Sequence, residues 1–274
     1  MKKIYTYIKR IVQAVNLVFL ALKTEGAGFS YVVALFYSVL NNSRSIQYLG
    51  TKFYYEDRLN PFTIFNYINE LMEMSLICKF NGGRVLDVGG NVGIYGYTLI
   101  KLFPKSTVFS FEPNPVPFQI LKKNATLNSN WKVFNQGISD HLEMKDIYFV
   151  EGKSGQGSFY QENADLDLAF EGKVTSLPVK VGPLNSQFLN DFMGGTHFNF
   201  VKIDTEGYES IVIRGLVDVT WDYMYVELSN ERAGKKNLKK FMTEIQSIWP
   251  KAHLLKSINK GIVTDVWLKS NHYG

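Results

Sequence analysis

Apolar residues follow two alternating rhythms along most of this chain. Short, nearly continuous apolar runs lie at Arg84–Gly89, Thr107–Glu112, Lys132–Ile138, Phe198–Asp204 and Tyr223–Leu228. Between them, at Val92–Phe103, Pro115–Asn128, Leu184–Met193 and Glu206–Leu216, apolar residues recur every three or four positions. The first pattern predicts buried strands and the second amphipathic helices. Their alternation predicts a mostly parallel sheet with helices on both faces, because a parallel neighbour is reached only through a crossover. A helix over Pro61–Lys79, opened by proline and burying Phe65, Ile68, Leu71, Met72 and Leu76, leads into the first strand. A helix over Lys235–Trp249 and strands at Ala252–Lys256 and Ile262–Leu268, the last antiparallel, complete seven strands. Residues 140–183 break the rhythm: Ile147–Val150 and Thr175–Val181 read as an antiparallel excursion, and Gly152–Tyr160 as either a lid or a solvent loop.

The start of the chain is patterned differently. Ile4, Ile8, Ile11, Val15, Val18 and Leu22 share one helix face, across from Lys2, Lys9, Gln13 and Asn16. Residues 1–60 are therefore expected to form an N-terminal amphipathic helical appendage, and residues 61–274 the main domain. Charge sharpens that division. Lys2, Lys3, Lys9, Arg10, Lys23 and Arg44 against Glu25 account for the whole net charge of +5, so the remainder is neutral in sum. An enzyme of nucleic acids would place basic residues beside its site, and no nucleic-acid partner is expected. The basic helix suits packing on the main domain or another subunit, or peripheral contact with an anionic membrane through residues 1–22. The apolar stretches Ile11–Leu22 and Phe29–Leu40 are too short and interrupted to span a bilayer. No small-residue cleavage site follows the lysine-led start. Cys78 is the only cysteine, which excludes an internal disulfide and a thiolate metal cluster. That usage fits a cytoplasmic protein, free or resting on the inner membrane surface. A hydrophobic share of 46% over 274 residues is that of a globular chain with a substantial core.

Chemistry enters where the first strand ends. Asp87 and Val88 deliver the chain to Gly89, Gly90 and Gly93, whose missing side chains allow a sharp turn and close approach to a ligand. Glu112, nineteen residues after Gly93, brings a carboxylate to the tip of the next strand at a spacing suited to ribose hydroxyls. An adenosine-type cofactor is expected. The turn lacks the Gly-x-Gly-x-x-Gly order of a pyrophosphate site, and Asp87 would repel a pyrophosphate while suiting the ammonium group of a methionine-derived cofactor. S-adenosylmethionine is therefore expected in preference to NAD.

Three segments carry a resemblance to a known family: Val-Leu-Asp-Val-Gly-Gly-Asn-Val-Gly at 85–93, Phe-Glu-Pro-Asn-Pro at 111–115, and Val-Lys-Ile-Asp-Thr-Glu-Gly-Tyr-Glu at 201–209. Across a stretch of typical domain length, roughly residues 80–230, the chain resembles the FkbM-type methyltransferases. The resemblance implies a Rossmann-like class I methyltransferase fold and S-adenosylmethionine-dependent O-methylation, often of a sugar or polyketide hydroxyl. Two positions depart from the family pattern: Gly90 stands in place of alanine, and Asn185 in place of aspartate.

In open α/β sheets ligands lie beyond the carboxyl ends of the strands, where Asp87, Glu112, Asp140, Asp204 and Glu227 are predicted. Asp87, Gly89 and Gly93 are expected to frame the methionine end of the cofactor, Glu112 to hold the ribose, and Ser139 with Asp140 to face the adenine. Gly90, Asn91, Pro113, Asn114 and Asp204 complete the expected cofactor set. Methyl transfer from a sulfonium requires chiefly that the acceptor be aligned and its proton removed. Asp204 is the first candidate base and Glu206 the second, with Lys202, on the same strand face as Asp204, positioning the acceptor. Glu206 has a bland alternative as a helix-start acid favoured by the dipole. His197, before the fourth strand, reads more readily as an incidental loop histidine than as a base. No His/Asp grouping has ligand spacing, so no metal is expected. The expected acceptor is a small molecule or glycan, in first place a sugar, glycan or glycolipid hydroxyl. A polyketide or other secondary metabolite is the alternative, and a cofactor-binding module without turnover is the reading from another class.

Overall fold

The computed structural model describes residues 45–55, 61–150, 157–166, 173–229 and 237–270. The expected basic helix over residues 1–22 lies outside them, as does the rest of residues 1–44. Strands β1 (Ser45–Tyr48) and β2 (Thr51–Tyr54) form a hairpin whose turn residues Leu49 and Gly50 both take positive φ, 46° and 79°. That is the geometry of a two-residue hairpin loop. The expectation of a helical appendage running to residue 60 is corrected here. Tyr48 and Phe53 are fully buried against Tyr97, with ring centroids 5.8 and 5.4 Å away, and the Asn124 side chain pairs with both backbone groups of Tyr54. The main domain therefore includes residues from 45.

Helix α1 (Pro61–Cys78) follows. It buries Leu71, Met74 and Cys78, whereas Met72 and Leu76, expected inside, are 43% and 79% exposed. Apolar residues occur all round this helix, so their spacing does not fix its rotation. The stripe that the sheet selects also carries Glu70 inward. Next come β3 (Arg84–Val88), α2 (Ile94–Leu102), β4 (Thr107–Phe111), α3 (Pro115–Ala125) and β5 (Trp131–Phe134). The run expected as one strand over Lys132–Ile138 divides at Asn135, whose side-chain amide donates to the Glu112 and Pro113 carbonyls. Beyond it, β6 (Gly137–Ile138), β7 (Glu143–Val150) and β8 (Val174–Gly182) form a separate three-stranded sheet, with the short helix α4 (Gln161–Leu166) between β7 and β8. This is the excursion that the broken rhythm predicts. The chain returns through α5 (Ser186–Phe188), which continues as a π-helical turn over Leu189–Met193. Asn185 caps α5 by accepting from the Phe188 amide, a role asparagine fills as well as aspartate. Then follow β9 (His197–Ile203), α6 (Glu209–Arg214), β10 (Thr220–Ser229), α7 (Leu238–Ile248), β11 (Ala252–Asn259) and β12 (Val263–Ser270).

The seven-stranded sheet has the order β11-β12-β10-β9-β3-β4-β5, with β12 antiparallel to both neighbours and the other pairings parallel. Alternate strand residues feed two cores. Leu86, Val88, Phe109, Phe111, Val201 and Ile203 pack with α6 and α7 on one face. Val85, Val108, Phe200, Tyr225 and Trp267 pack with α1 and α2 on the other. The expected α/β class with helices on both faces is thus found.

At the amino-terminal edge of the sheet, one side chain ties β3 to the approach of β9. The Arg84 guanidinium donates to the carbonyls of Met193, Gly195 and His197 at 2.6–2.8 Å, between the rings of Phe109 and Phe198.

Candidate active site at the topological switch

Strand order reverses between β3 and β9: β4 and β5 extend to one side, β10 and β12 to the other. Such a reversal opens a crevice at the carboxyl ends of the strands. Two glycines shape the turn there. Gly89, at φ 83°, lies so close to the Asp204 carbonyl that a Cβ would overlap it. Gly93, at φ 91°, starts α2 where a Cβ would run into Trp131 and Leu121. Asn91 adopts φ 49°, a conformation asparagine tolerates better than most residues.

The Asn91 amide donates to Glu112 Oε2 at 2.9 Å, and the Asn114 amide to Oε1 at 2.8 Å. Asn114 in turn caps α3, accepting from the Val116 amide. Glycine turn, Glu112 and the Pro113-Asn114 corner are therefore one hydrogen-bonded unit. Burial pushes the Glu112 carboxyl up to about 7, although the Asn114 and Asn91 amides pull the other way.

Beneath this turn, register aligns a polar row on the α1/α2 face: Ser110, Asp87, Lys202 and Tyr225 are successive cross-strand neighbours. Trp131 Nε1 donates to Ser110 Oγ, and Ser110 Oγ to Asp87 Oδ2. Lys202 is 1% exposed, with Nζ 3.6 Å from Asp87 Oδ1 and 3.2 Å from Asp204 Oδ2, and it donates to the Gly89 carbonyl. Burial works against its charge, but Asp204 and Asp87 outweigh burial and hold the ammonium well above the ordinary lysine value. Its ammonium faces three oxygen atoms of the protein, those of Asp87, Asp204 and the Gly89 carbonyl. Lys202 thus fixes the turn and the carboxylates, where the sequence had suggested a charge facing the acceptor.

One step further along the strands, the same face presents Glu112, Gly89, Asp204, Glu227 and Asp265, the last two being cross-strand partners. Asp204 keeps 19% side-chain exposure and follows β9 directly, its amide bonded to the Val88 carbonyl. Glu70 reaches the group from α1, a contribution that nothing in the sequence singles out. Burial, then Asp204, pushes Glu70 up to about 8; burial, then Asp204 and Glu206, pushes Glu227 up to about 9. Folding therefore favours both protonated forms. That stability is complete below about pH 4.5, the ordinary value, and is lost as pH rises through about 8 and 9. Glu70→Gln is expected to flatten the decline of Tm between about pH 5 and 9 in thermal denaturation; curves that stay parallel to the parent would refute the assignment.

Glu206 does not open a helix. It sits at φ 54°, three residues before α6, so the helix-dipole reading is lost. Its carbonyl accepts from Ser158 Oγ and Asn163 Nδ2, both at 2.9 Å, which ties the β7–β8 excursion to this turn. Within the expected lid, Ser158 also bridges to Tyr148, while residues 151–156 lie outside the described residues. Asp140 does not sit at a strand end of the main sheet. Arg214 Nε donates to its Oδ2 at 2.8 Å, and His141 engages its Oδ1, with Ser139 buried beside it. Arg214 and His141 hold its carboxyl below the ordinary aspartate value against the effect of burial. His197 opens β9 at the opposite edge of the sheet and pairs with Asp222 and Thr220, far along the strand from Asp204. Among the described residues, no group of three or more His, Cys, Asp or Glu side chains is arranged to hold a metal ion.

The family described as the methyltransferase FkbM domain matches residues 87–250, more than half of the chain. This chain belongs to that family. The FkbM domain takes in Asp87, Glu112, Lys202, Asp204, Glu206 and Glu227, whereas Tyr67, Glu70, Lys260 and Asp265 fall outside it. Methyltransferase 1 of Beauveria bassiana (strain ARSEF 2860) is 27% identical over 150 residues, covering 50% of this chain and 60% of that protein. The 2-O-methyltransferase NoeI of Sinorhizobium fredii (strain NBRC 101917 / NGR234) is 23% identical over 201 residues, covering 68% and 79%. The 31-O-demethyl-FK506 methyltransferase FkbM of Streptomyces tacrolimicus is 27% identical over 160 residues, covering 51% and 62%. The chain therefore spans less than two thirds of the length of the Beauveria and Streptomyces proteins. No helix among the described residues is long and apolar enough to cross a membrane.

Proposed function

We propose that this FkbM domain transfers a methyl group from S-adenosylmethionine to a hydroxyl of a sugar, glycan or glycolipid-type acceptor. The observation that carries the reading is the convergence of Glu112, the Gly89–Gly93 turn and Asp204 at one switch point. The residues fit the cofactor. Asp87 Oδ1 is buried without a hydrogen-bond partner, and the positive φ of Gly89 and Gly93 makes a sharp turn that a residue with a Cβ could not make, because the Cβ would meet Asp204 or Trp131. Asp87, Gly89, Gly90, Asn91 and Gly93 would hold its methionine end, and Glu112, Pro113 and Asn114 its ribose. Ser139 and Asp140 would border the adenine as backbone and packing, since the Asp140 carboxylate serves Arg214.

The bound sulfonium supplies the methyl group and a good leaving group. The chain supplies the rest. Asp204, partly exposed, accepts the proton of the acceptor hydroxyl, with Glu206 as the second candidate, while buried Lys202 fixes the orientation of Asp204. The test is transfer of tritiated methyl from S-adenosylmethionine to neutral glycans and glycolipids. Asp204→Asn should keep cofactor affinity within about threefold and lose at least about 100-fold in transfer, the usual scale for a missing base. Turnover at the parental rate would remove the assignment. Failure of the parent protein to bind S-adenosylmethionine would sink the whole reading and favour a module without turnover. The second acceptor class, a polyketide or other secondary metabolite, is favoured by the substrate for which the Streptomyces relative is named. A macrolide included in the same assay separates the two. Peripheral membrane contact through residues 1–22 is a further proposal, supported by their basic amphipathic pattern.

A further inference from the structure

Charge is unevenly placed on this domain. Residues 45–274 are neutral in sum, yet residues 45–55 and 94–125, which build the β1–β2 hairpin, α2, β4 and α3, hold five lysines and a single acid, Glu112. That acid is buried at the crevice, whereas Lys52, Lys101, Lys105, Lys122 and Lys123 are exposed. Two aromatic rings gather the lysines. Lys123 Nζ of α3 lies 3.4 Å and Lys52 Nζ of β2 5.5 Å from the centroid of Tyr54. Lys101 Nζ, at the end of α2, lies 5.4 Å from the centroid of Tyr97, whose ring is in turn 5.4 Å from Phe53 of β2. The hairpin and both helix ends therefore present one positive face, on which Leu102 is 40% exposed. Helix dipoles account for lysines at the ends of α2 and α3 one at a time. They account neither for Lys52 nor for the lack of an exposed acid among the described residues of these elements.

The chain that enters this face at Ser45 adds to it. Residues 1–44 carry the whole net charge of +5 together with the apolar stripe from Ile4 to Leu22. A basic face that continues a basic amphipathic segment fits a surface that is anionic outside and apolar beneath, which is a bilayer containing acidic lipids. Nucleic acid would use the charge and leave the apolar stripe without a partner. We infer that the face formed by the hairpin, α2 and α3 docks on an anionic lipid surface, with Lys52, Lys101, Lys122 and Lys123 against the headgroups. The inference takes its partner class from the peripheral contact of residues 1–22 proposed above and adds a folded contact to it; it does not depend on the methyl acceptor. Its position matters to the site. Helices α2 and α3 start at the crevice, from Gly93 and Asn114, and their lysines lie at the opposite ends. Docking therefore leaves the crevice open to water.

The test is co-sedimentation of the full chain with vesicles of phosphatidylcholine alone and of an equal mixture of phosphatidylcholine and phosphatidylglycerol. Binding should require the anionic lipid and weaken as salt is raised. Replacing Lys52, Lys101, Lys122 and Lys123 together by glutamine should lower the vesicle partition coefficient at least about tenfold. Lys180 of the small sheet, Lys239 and Lys240 of α7 and Lys251 beyond it are also exposed, on other sides of the domain. Replacing them by glutamine changes the net charge equally and should lower partitioning by less than about threefold. Thermal denaturation checks that both sets remain folded. Acetylation of the parent protein with and without anionic vesicles, read by mass spectrometry, makes the same comparison without any substitution: the first set should be protected and the second not. Equal losses in the two variants, or protection spread evenly over both sets, overturns the inference and leaves the contact of residues 1–22 standing. A parent protein that ignores anionic vesicles removes both readings. Binding of a single-stranded oligonucleotide that the first substitutions abolish, without vesicle binding, would assign the face to nucleic acid instead.

Discussion

Lys202→Met is expected to lower stability by about 3–5 kcal/mol, the range for breaking one side of a buried ion pair. Methionine matches the length of the lysine stem, so packing survives and the charge alone is removed. What remains is Asp87, 0% exposed, and Asp204 facing each other at the switch point, with the Gly89 carbonyl deprived of its donor. For a domain of this size the loss corresponds to a fall in Tm of roughly 10 °C. The deficit should shrink on acidification, because protonating a carboxylate removes the charge that has lost its partner. In the parent protein the ammonium is held well above the ordinary lysine value. Its stabilising contribution is therefore present throughout the neutral range and is lost only at strongly alkaline pH. Thermal denaturation at about pH 7.5 and pH 5 measures both effects. A Tm within about 2 °C of the parent at neutral pH would show that Lys202 does not neutralise this site.

Glu112→Ala is expected to weaken S-adenosylmethionine binding by about 10- to 100-fold, the equivalent of one or two charge-assisted hydrogen bonds at about 1.5–3 kcal/mol each. The loss has two parts. The carboxylate that would accept ribose hydroxyls disappears, and the amides of Asn91 and Asn114 lose the group that fixes the turn. Glu112→Gln separates them, because an amide keeps one acceptor and the shape but no charge. The parent should also bind in a pH-dependent way. Burial puts the free carboxyl at about 7, and ribose hydroxyls favour the charged form. Affinity should therefore be greatest above pH 7 and fall by up to about tenfold per unit below it. Calorimetry near neutrality in two buffers of different ionisation enthalpy would register the released proton. An affinity flat across that range, or equal in Glu112→Ala, would contradict the ribose assignment.

The main sheet and the cofactor turn were legible because they rest on strong local signals. Continuous apolar runs ended by Asp87-Val88, Phe111-Glu112 and Ile203-Asp204 locate strand ends to within a residue, and the glycines between them have no other easy explanation. Register could not be read. No one-dimensional pattern shows that Asp87 and Lys202 are cross-strand neighbours, which converts a candidate acceptor contact into a buried clamp. Glu206 was misplaced for a related reason: helical spacing of apolar residues extends back to it, whereas its backbone takes a φ of 54° and its carbonyl accepts from Ser158 and from Asn163 of α4. The β1–β2 hairpin was hidden because its strands are short and its buried residues are tyrosine and phenylalanine amid polar neighbours. Glu70 was invisible for a simpler cause. An acid in a helix reads as solvent-facing until the helix rotation is known, and an all-round apolar helix does not declare its rotation.

Arg84 determines which end of this sheet can yield. Three backbone carbonyls, at the end of the π-helical turn, in the loop after it and at the first residue of β9, are joined to one planar group wedged between two rings, so the base of β3 and β9 has no slack. Whatever displacement a ligand imposes must be absorbed at the opposite rim, in the glycine turn and the loops around it. Backbone amides near the base would then exchange with solvent only through global unfolding, while those at the rim open locally. The sheet behaves as a cantilever, clamped at one edge and free to flex at the other.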